Sequence, residues 1–241
     1  MLLRSIAAAS ALLVAAPAAA TITVVFDGFV EGAADFDATV ALAGGTVSTF
    51  SLVPGTSGNP LDVGDFTIAR NNGSTVSVGS AQIANNSSPS ISTSGGVISI
   101  DPAGTGPGLL AKGSGLTLTF DNPINAIGFE VEDWATCCAP SDLYIQFGTS
   151  APILVGESNT TGDQYLSNGG AGVFVAAFDD TDTFSQVSFW GDGFGEVLTW
   201  GGTVRFAEID EGSLPPAVPA PGALGLLGLG ALLIGARRRR G

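Results

Sequence analysis

Leu116-Thr117-Leu118-Thr119-Phe120 alternates apolar and hydroxyl side chains, and Ile127-Gly128-Phe129-Glu130-Val131-Glu132 repeats the alternation a short step later. A period of two puts Leu116, Leu118 and Phe120 on one face of a strand, with Thr117 and Thr119 on the other. Ile127, Phe129 and Val131 likewise share a face opposite Gly128, Glu130 and Glu132. Working outward, Ile22, Val24 and Phe26 repeat the pattern near the beginning of the chain, and Val187/Phe189 and Val204/Phe206 near its end. Gly, Asn, Ser, Pro and Asp separate these runs, and no window between Thr21 and Glu211 reads as a helix. One buried and one wet face per strand is the condition of antiparallel sheets stacked face to face. The expected fold class is therefore all-β, an antiparallel β-sandwich of jelly-roll-like form. The Ser-, Asn- and Gly-rich stretch 55–115 reads as short strands and long loops of the same domain, with apolar residues at Val76, Val78, Val97, Ile98 and Ile100.

Composition narrows the chemistry. The 241 residues include 35 Gly, 2 Cys and no His, which excludes Ser-His-Asp and Cys-His catalysis and every His-ligated metal site. All 22 acids lie between Asp27 and Glu211, against Arg70, Lys112 and Arg205 alone, so this body carries a formal charge of −19. Such a body repels phosphate backbones, so no nucleic-acid partner is expected; divalent cations or basic partners would be attracted.

Both ends read as addresses. Arg4 precedes an apolar run from Ser5 to Ala16, and Ala18 and Ala20 supply the small residues of a cleavage site before Thr21. Residues 1–20 are thus an expected signal peptide, with signal peptidase and the secretion machinery as partners. The acidic β-sandwich domain follows at 21–211 and a Pro-rich linker and sorting signature at 212–221. An apolar helix and Arg cluster occupy 222–241. Pro215, Pro216, Pro219 and Pro221 cannot join a helix interior. Gly222 to Ala236 has no polar side chain, and Arg237, Arg238, Arg239 and Arg240 form a stop-transfer cluster. A helix over the apolar run is roughly 22 Å long, short for a ~30 Å hydrocarbon layer unless the bilayer thins or the arginines snorkel. The expectation is a short C-terminal transmembrane helix with arginines cytoplasmic and the acidic body outside.

The tail resembles the PEP-CTERM sorting segment of Gram-negative bacteria, in which a Pro-Glu-Pro signature precedes a short apolar helix and an Arg-rich end. Val218-Pro219-Ala220-Pro221-Gly222 occupies the signature, with Ala220 in the place of the usual Glu. The resemblance covers about the last 25 residues and implies an exosortase-like membrane protease as partner. It also implies cutting near Pro219 to Gly222 and a cell-surface or extracellular-matrix destination after an inner-membrane-anchored precursor. Permanent anchoring is the alternative.

Within the body, Asp179, Asp180 and Asp182 in one loop, and Asp192 and Glu196 in the Gly-rich Trp190 to Glu196 stretch, are the candidate calcium ligands. The same Asp and Gly residues also build turns. Cys137 and Cys138 are adjacent, and export favours oxidation. A strained vicinal disulfide is preferred over intermolecular bonds or two buried thiols. Glu130, Glu132, Asp133 and Asp142 are numerous enough for a glycosidase pair, yet nothing in the sequence fixes two across a cleft. Trp134, Trp190 and Trp200 are candidates for stacking on sugars or, more simply, for core packing. The reading is a non-enzyme: an exported surface protein. A calcium-dependent binder of exopolysaccharide is the alternative, and a glycoside hydrolase the third.

Overall fold

A computed structural model describes residues 22–81, 92–100, 113, 115–134, 141–159, 172–191 and 198–215. The first strand, β1 (Ile22–Asp27), leads into a single helix, α1 (Phe29–Leu42), and then β2 (Ser48–Ser51). Short pieces follow: β3 (Ser57–Gly58), β4 (Leu61–Asp62), β5 (Phe66–Arg70), β6 (Val76–Ser77) and β7 (Val97–Ile100). The longer strands are β8 (Leu116–Ile124), β9 (Ala126–Glu132), β10 (Ser141–Phe147), β11 (Ile153–Ser158), β12 (Val173–Asp179), β13 (Phe184–Gly191) and β14 (Leu198–Ala207).

These strands build two main sheets, antiparallel throughout. One runs β1-β12-β9-β14-β2, with β7 also on β14; the other runs β11-β10-β13-β8-β5-β4. A small β3-β6 pair stands apart from both. Between the main sheets lies one core, which includes Leu116, Leu118, Phe120, Ile127, Phe129, Val131, Val187, Phe189, Val204 and Phe206. Each belongs to the face that the period-two alternation assigned to the interior. The chain is a β-sandwich, and strands from the 55–115 stretch enter both sheets.

Two local expectations are corrected. First, Phe29–Leu42 is a helix. Its Ala residues favour helix, Glu31 complements the dipole in the first turn, and Phe29, Gly32, Phe36 and Val40 form its buried stripe. Gly44, at φ 80°, ends it in the left-handed conformation that glycine reaches without strain. Second, the outward face of β9 and β12 is dry. All seven residues of each strand are buried, because α1 packs there through Phe36 and Val40 onto Phe174, Ala176 and Phe178. Burial of Phe36 and Val40 contributes roughly 1.5–3 kcal/mol each. Gly32 permits the close approach, since a Cβ there would lie 2.7 Å from that of Phe174. In β1 the strand itself is as expected, but Ile22 and Val24 remain about half exposed because β1 is the outermost strand of its sheet.

β14 changes neighbours midway. Leu198 to Gly201 pairs with β7, and Thr203 to Phe206 pairs with β2. On its other side the register against β9 shifts between Gly201 and Arg205. Gly201 and Gly202 take up this irregularity, both at positive φ.

Candidate functional site

The shift in β14 shapes a cleft between α1 and the outward face of the first sheet. Val30, Ala33, Ala34 and Asp37 lie on one stripe of α1 by their spacing of three and four. With Phe29 they form one wall. Ser92, Ser94, Glu130, Thr203 and Arg205 form the other, and the cavity between them is about 380 Å³. Thr203 and Arg205 point outward because Val204 and Phe206 point into the core. Phe29 is buried in the wall, whereas Val30 is 69% exposed at the rim.

Glu130 is the centre of the polar wall and is only 7% exposed. Ser94 donates its backbone N–H to Glu130 Oε2 at 2.7 Å, and its hydroxyl meets Oε1. Burial pushes the carboxyl up from its ordinary value of 4.5, against the lowering by the Ser94 and Thr203 hydrogen bonds and by the charge of Arg205. A side chain at position 202 would occupy the same space: a Cβ there would fall 2.2 Å from Glu130 Oε2. Gly202 thus makes room for the carboxylate as well as for the turn of the backbone.

Two further interactions organise the wall. Arg205 Nη1 donates to both carboxylate oxygens of Asp37, at 2.9 and 3.0 Å, across a sequence separation of 168. The Thr203 hydroxyl lies 2.6 Å from that of Ser94 and 2.8 Å from that of Ser51. A serine hydroxyl has one proton. When Glu130 is ionised it takes the proton of Ser94, and Thr203 must then donate to Ser94. When Glu130 is protonated it can donate to Ser94, and the chain of hydroxyls reverses out to Ser51.

Of the anticipated residues that the structure describes, Glu130 alone lines the cleft. Glu132 is buried on the same face of β9, and Asp133 follows that strand at φ 60°. Asp142 lies on β10, on the outward face of the opposite sheet, where it accepts a hydrogen bond from Tyr144 at 2.9 Å. Glu130 and Asp142 therefore face away from each other across the sandwich and form no acid pair. Trp134, Trp190 and Trp200 are all fully buried. Trp134 Nε1 donates to Ser141 Oγ at 2.8 Å, Trp190 stacks on Tyr144, and Trp200 packs on Phe129.

The acidic loop builds its own turn. Asp179 accepts from the N–H and hydroxyl of Thr181, Asp180 from the N–H of Leu214, and Asp182 from the N–H of Thr183. Among the described residues no three Asp, Glu, Cys or His side chains gather as a metal site. Asp192, Glu196, Cys137, Cys138, the signal-cleavage residues Ala18, Ala20 and Thr21, and the tail from Val218 to Arg240 lie outside the described residues. No helix among the described residues is long and apolar enough to cross a membrane.

Asp37, Ser94, Thr203 and Arg205 were not singled out from the sequence. Arg205 carried a usable signal: it is one of three cations in a body with 22 acids, and its alternation with Val204 and Phe206 turns it outward, where a carboxylate partner is readily met.

The chain matches no family model and no curated protein. Among solved structures, a variant family 29 carbohydrate-binding module complexed with mannohexaose aligns at 12% identity and a TM-score of 0.33, over 68% of this chain and 94% of that one. Another family 29 module aligns at 12% identity and a TM-score of 0.32, over 71% and 95%. The enzymatically active domain of tailspike protein 4 of bacteriophage CBA120 aligns at 13% identity and a TM-score of 0.24, over 69% of this chain and 20% of that one. At these scores no ligand or activity carries across.

Proposed function

We propose that this chain is an exported, non-catalytic surface protein whose β-sandwich binds saccharide in the cleft beside α1. The observation that supports this reading is the two-sided lining. Phe29, Val30, Ala33 and Ala34 offer an apolar wall, facing hydroxyl, carboxylate and guanidinium groups of Ser94, Thr203, Glu130 and Arg205. A pyranose has the matching form: a C–H face that leaves water readily and a rim of hydroxyls that need paired donors and acceptors. Arg205 uses Nη1 on Asp37, which leaves Nε and Nη2 to donate to ligand oxygens.

Export rests on the sequence of the two ends. The cationic start, apolar run and Ala18/Ala20 pair support secretion. The prolines, apolar run and Arg237 to Arg240 support insertion of the tail, with exosortase-type cutting near Pro219 to Gly222. The body would then stand outside the cytoplasm, where exopolysaccharide is the available ligand.

Isothermal titration of the full chain, kept in a sugar-free detergent, against a panel of neutral, anionic and cationic oligosaccharides tests the binding reading. At least one should release heat with a dissociation constant in the roughly micromolar to millimolar range, and Arg205→Ala should weaken it about tenfold. Absence of heat across the panel rejects it.

A further inference from the structure

The charges in the cleft are unequal. Asp37 holds Arg205 with both carboxylate oxygens, so these two charges largely cancel each other. Glu130 remains, 7% exposed at the base of the polar wall; its close donors are the neutral groups of Ser94 and Thr203, and the nearby charge of Arg205, already paired with Asp37, offsets its burial only in part. A carboxylate has about four lone-pair positions, and a buried one without a full counter-charge is costly. The surrounding body, at −19, adds an attractive field for any cation that approaches.

From this arrangement we infer that the cleft selects an amino sugar, its ammonium group supplying the counter-charge to Glu130 while the ring lies against Phe29, Val30 and Ala33. The inference rests on the saccharide reading above and narrows it to a substrate class. An ammonium brings three donors and a full charge; a neutral N-acetyl group brings one donor and no charge; a uronate brings the wrong sign.

Titration of the full chain with the trisaccharides of glucosamine, N-acetylglucosamine and galacturonate, each at low and high salt, decides the matter. The glucosamine trisaccharide should bind at least about tenfold more tightly than the other two, and the advantage should shrink in high salt. Glu130→Gln should abolish the advantage. Asp37→Asn, a change on the helix surface, should reduce it. Glu211→Gln removes one charge from an exposed turn and should leave it intact.

Equal affinity for the glucosamine and N-acetylglucosamine trisaccharides overturns the amino-sugar inference and leaves the saccharide cleft standing. No binding by any of the three, in a chain that also fails the wider panel, overturns both. A loss in Glu211→Gln as large as in Glu130→Gln means diffuse attraction to an acidic surface and overturns the inference. So does equal affinity for Nα-acetyl-lysine amide, an ammonium without a sugar ring.

Discussion

Glu130 is a carboxyl that the fold holds in a place it would not choose when charged. In the unfolded chain it titrates near its ordinary 4.5, whereas burial in the native state moves it upward. The folded protein therefore holds this proton more tightly. The stability it contributes is present below 4.5 and is lost as pH rises through the raised value. Across that window the melting temperature of the wild-type chain should fall relative to Glu130→Gln. Above it the variant should be the more stable of the two, as read by scanning calorimetry at a series of pH values. Parallel curves for the two proteins would refute the assignment. Gly202→Ala should act in the opposite direction. With φ at 65° and a Cβ in collision with the carboxylate, it should cost roughly 1–3 kcal/mol in urea unfolding and remove sugar binding with it. At this scale the sequence displayed Glu130 on the outward side of β9 but concealed its surroundings. Ser94 is 36 positions away, and the Asp37–Arg205 pair spans 168. Only the order of strands in the sheet brings such residues together, and alternation carries no record of that order.

Among the elements, α1 decides whether the outward face of its sheet is wet or dry. Phe36 packs on Phe178 at 5.0 Å and on Phe174 at 6.2 Å between ring centroids, with no exposure. Phe36→Ala should cost about 3–5 kcal/mol, measured as a lower urea midpoint, and should loosen the helical wall of the cleft. A loss under 1 kcal/mol would mean that the helix contributes little to holding the sheet. Strands β8, β9, β13 and β14 were legible because large apolar residues alternate with small or polar ones. The helix was not, for a physical reason: one of its four buried stripe positions is Gly32, and Ala and Asp fill much of the rest. A glycine chosen for close approach to Phe174 adds almost nothing to the apolar pattern that marks an amphipathic helix. A second clue lay in β12, Val-Phe-Val-Ala-Ala-Phe, which is apolar on both sides and so requires a cover on both.

For the molecule as a whole, a body that would bind saccharide is set between two ends that would direct export and sorting. Mature protein taken from cells should begin at Thr21 and end between Pro219 and Gly222, as read by intact mass. A species that retains Arg237 to Arg240 would establish permanent anchoring instead. The sandwich was foreseeable from many short alternating runs without helices to cover a parallel sheet, whereas the pairing of β14 with two different outer strands was not. That exchange of partners has a consequence for crowding at a surface. β14 is ten residues long, but the strands beyond it, β2 and β7, have only four each. A neighbouring chain that tried to extend the sheet on this flank would meet two brief templates with a kink between them, so fibril growth would stall after a few rungs.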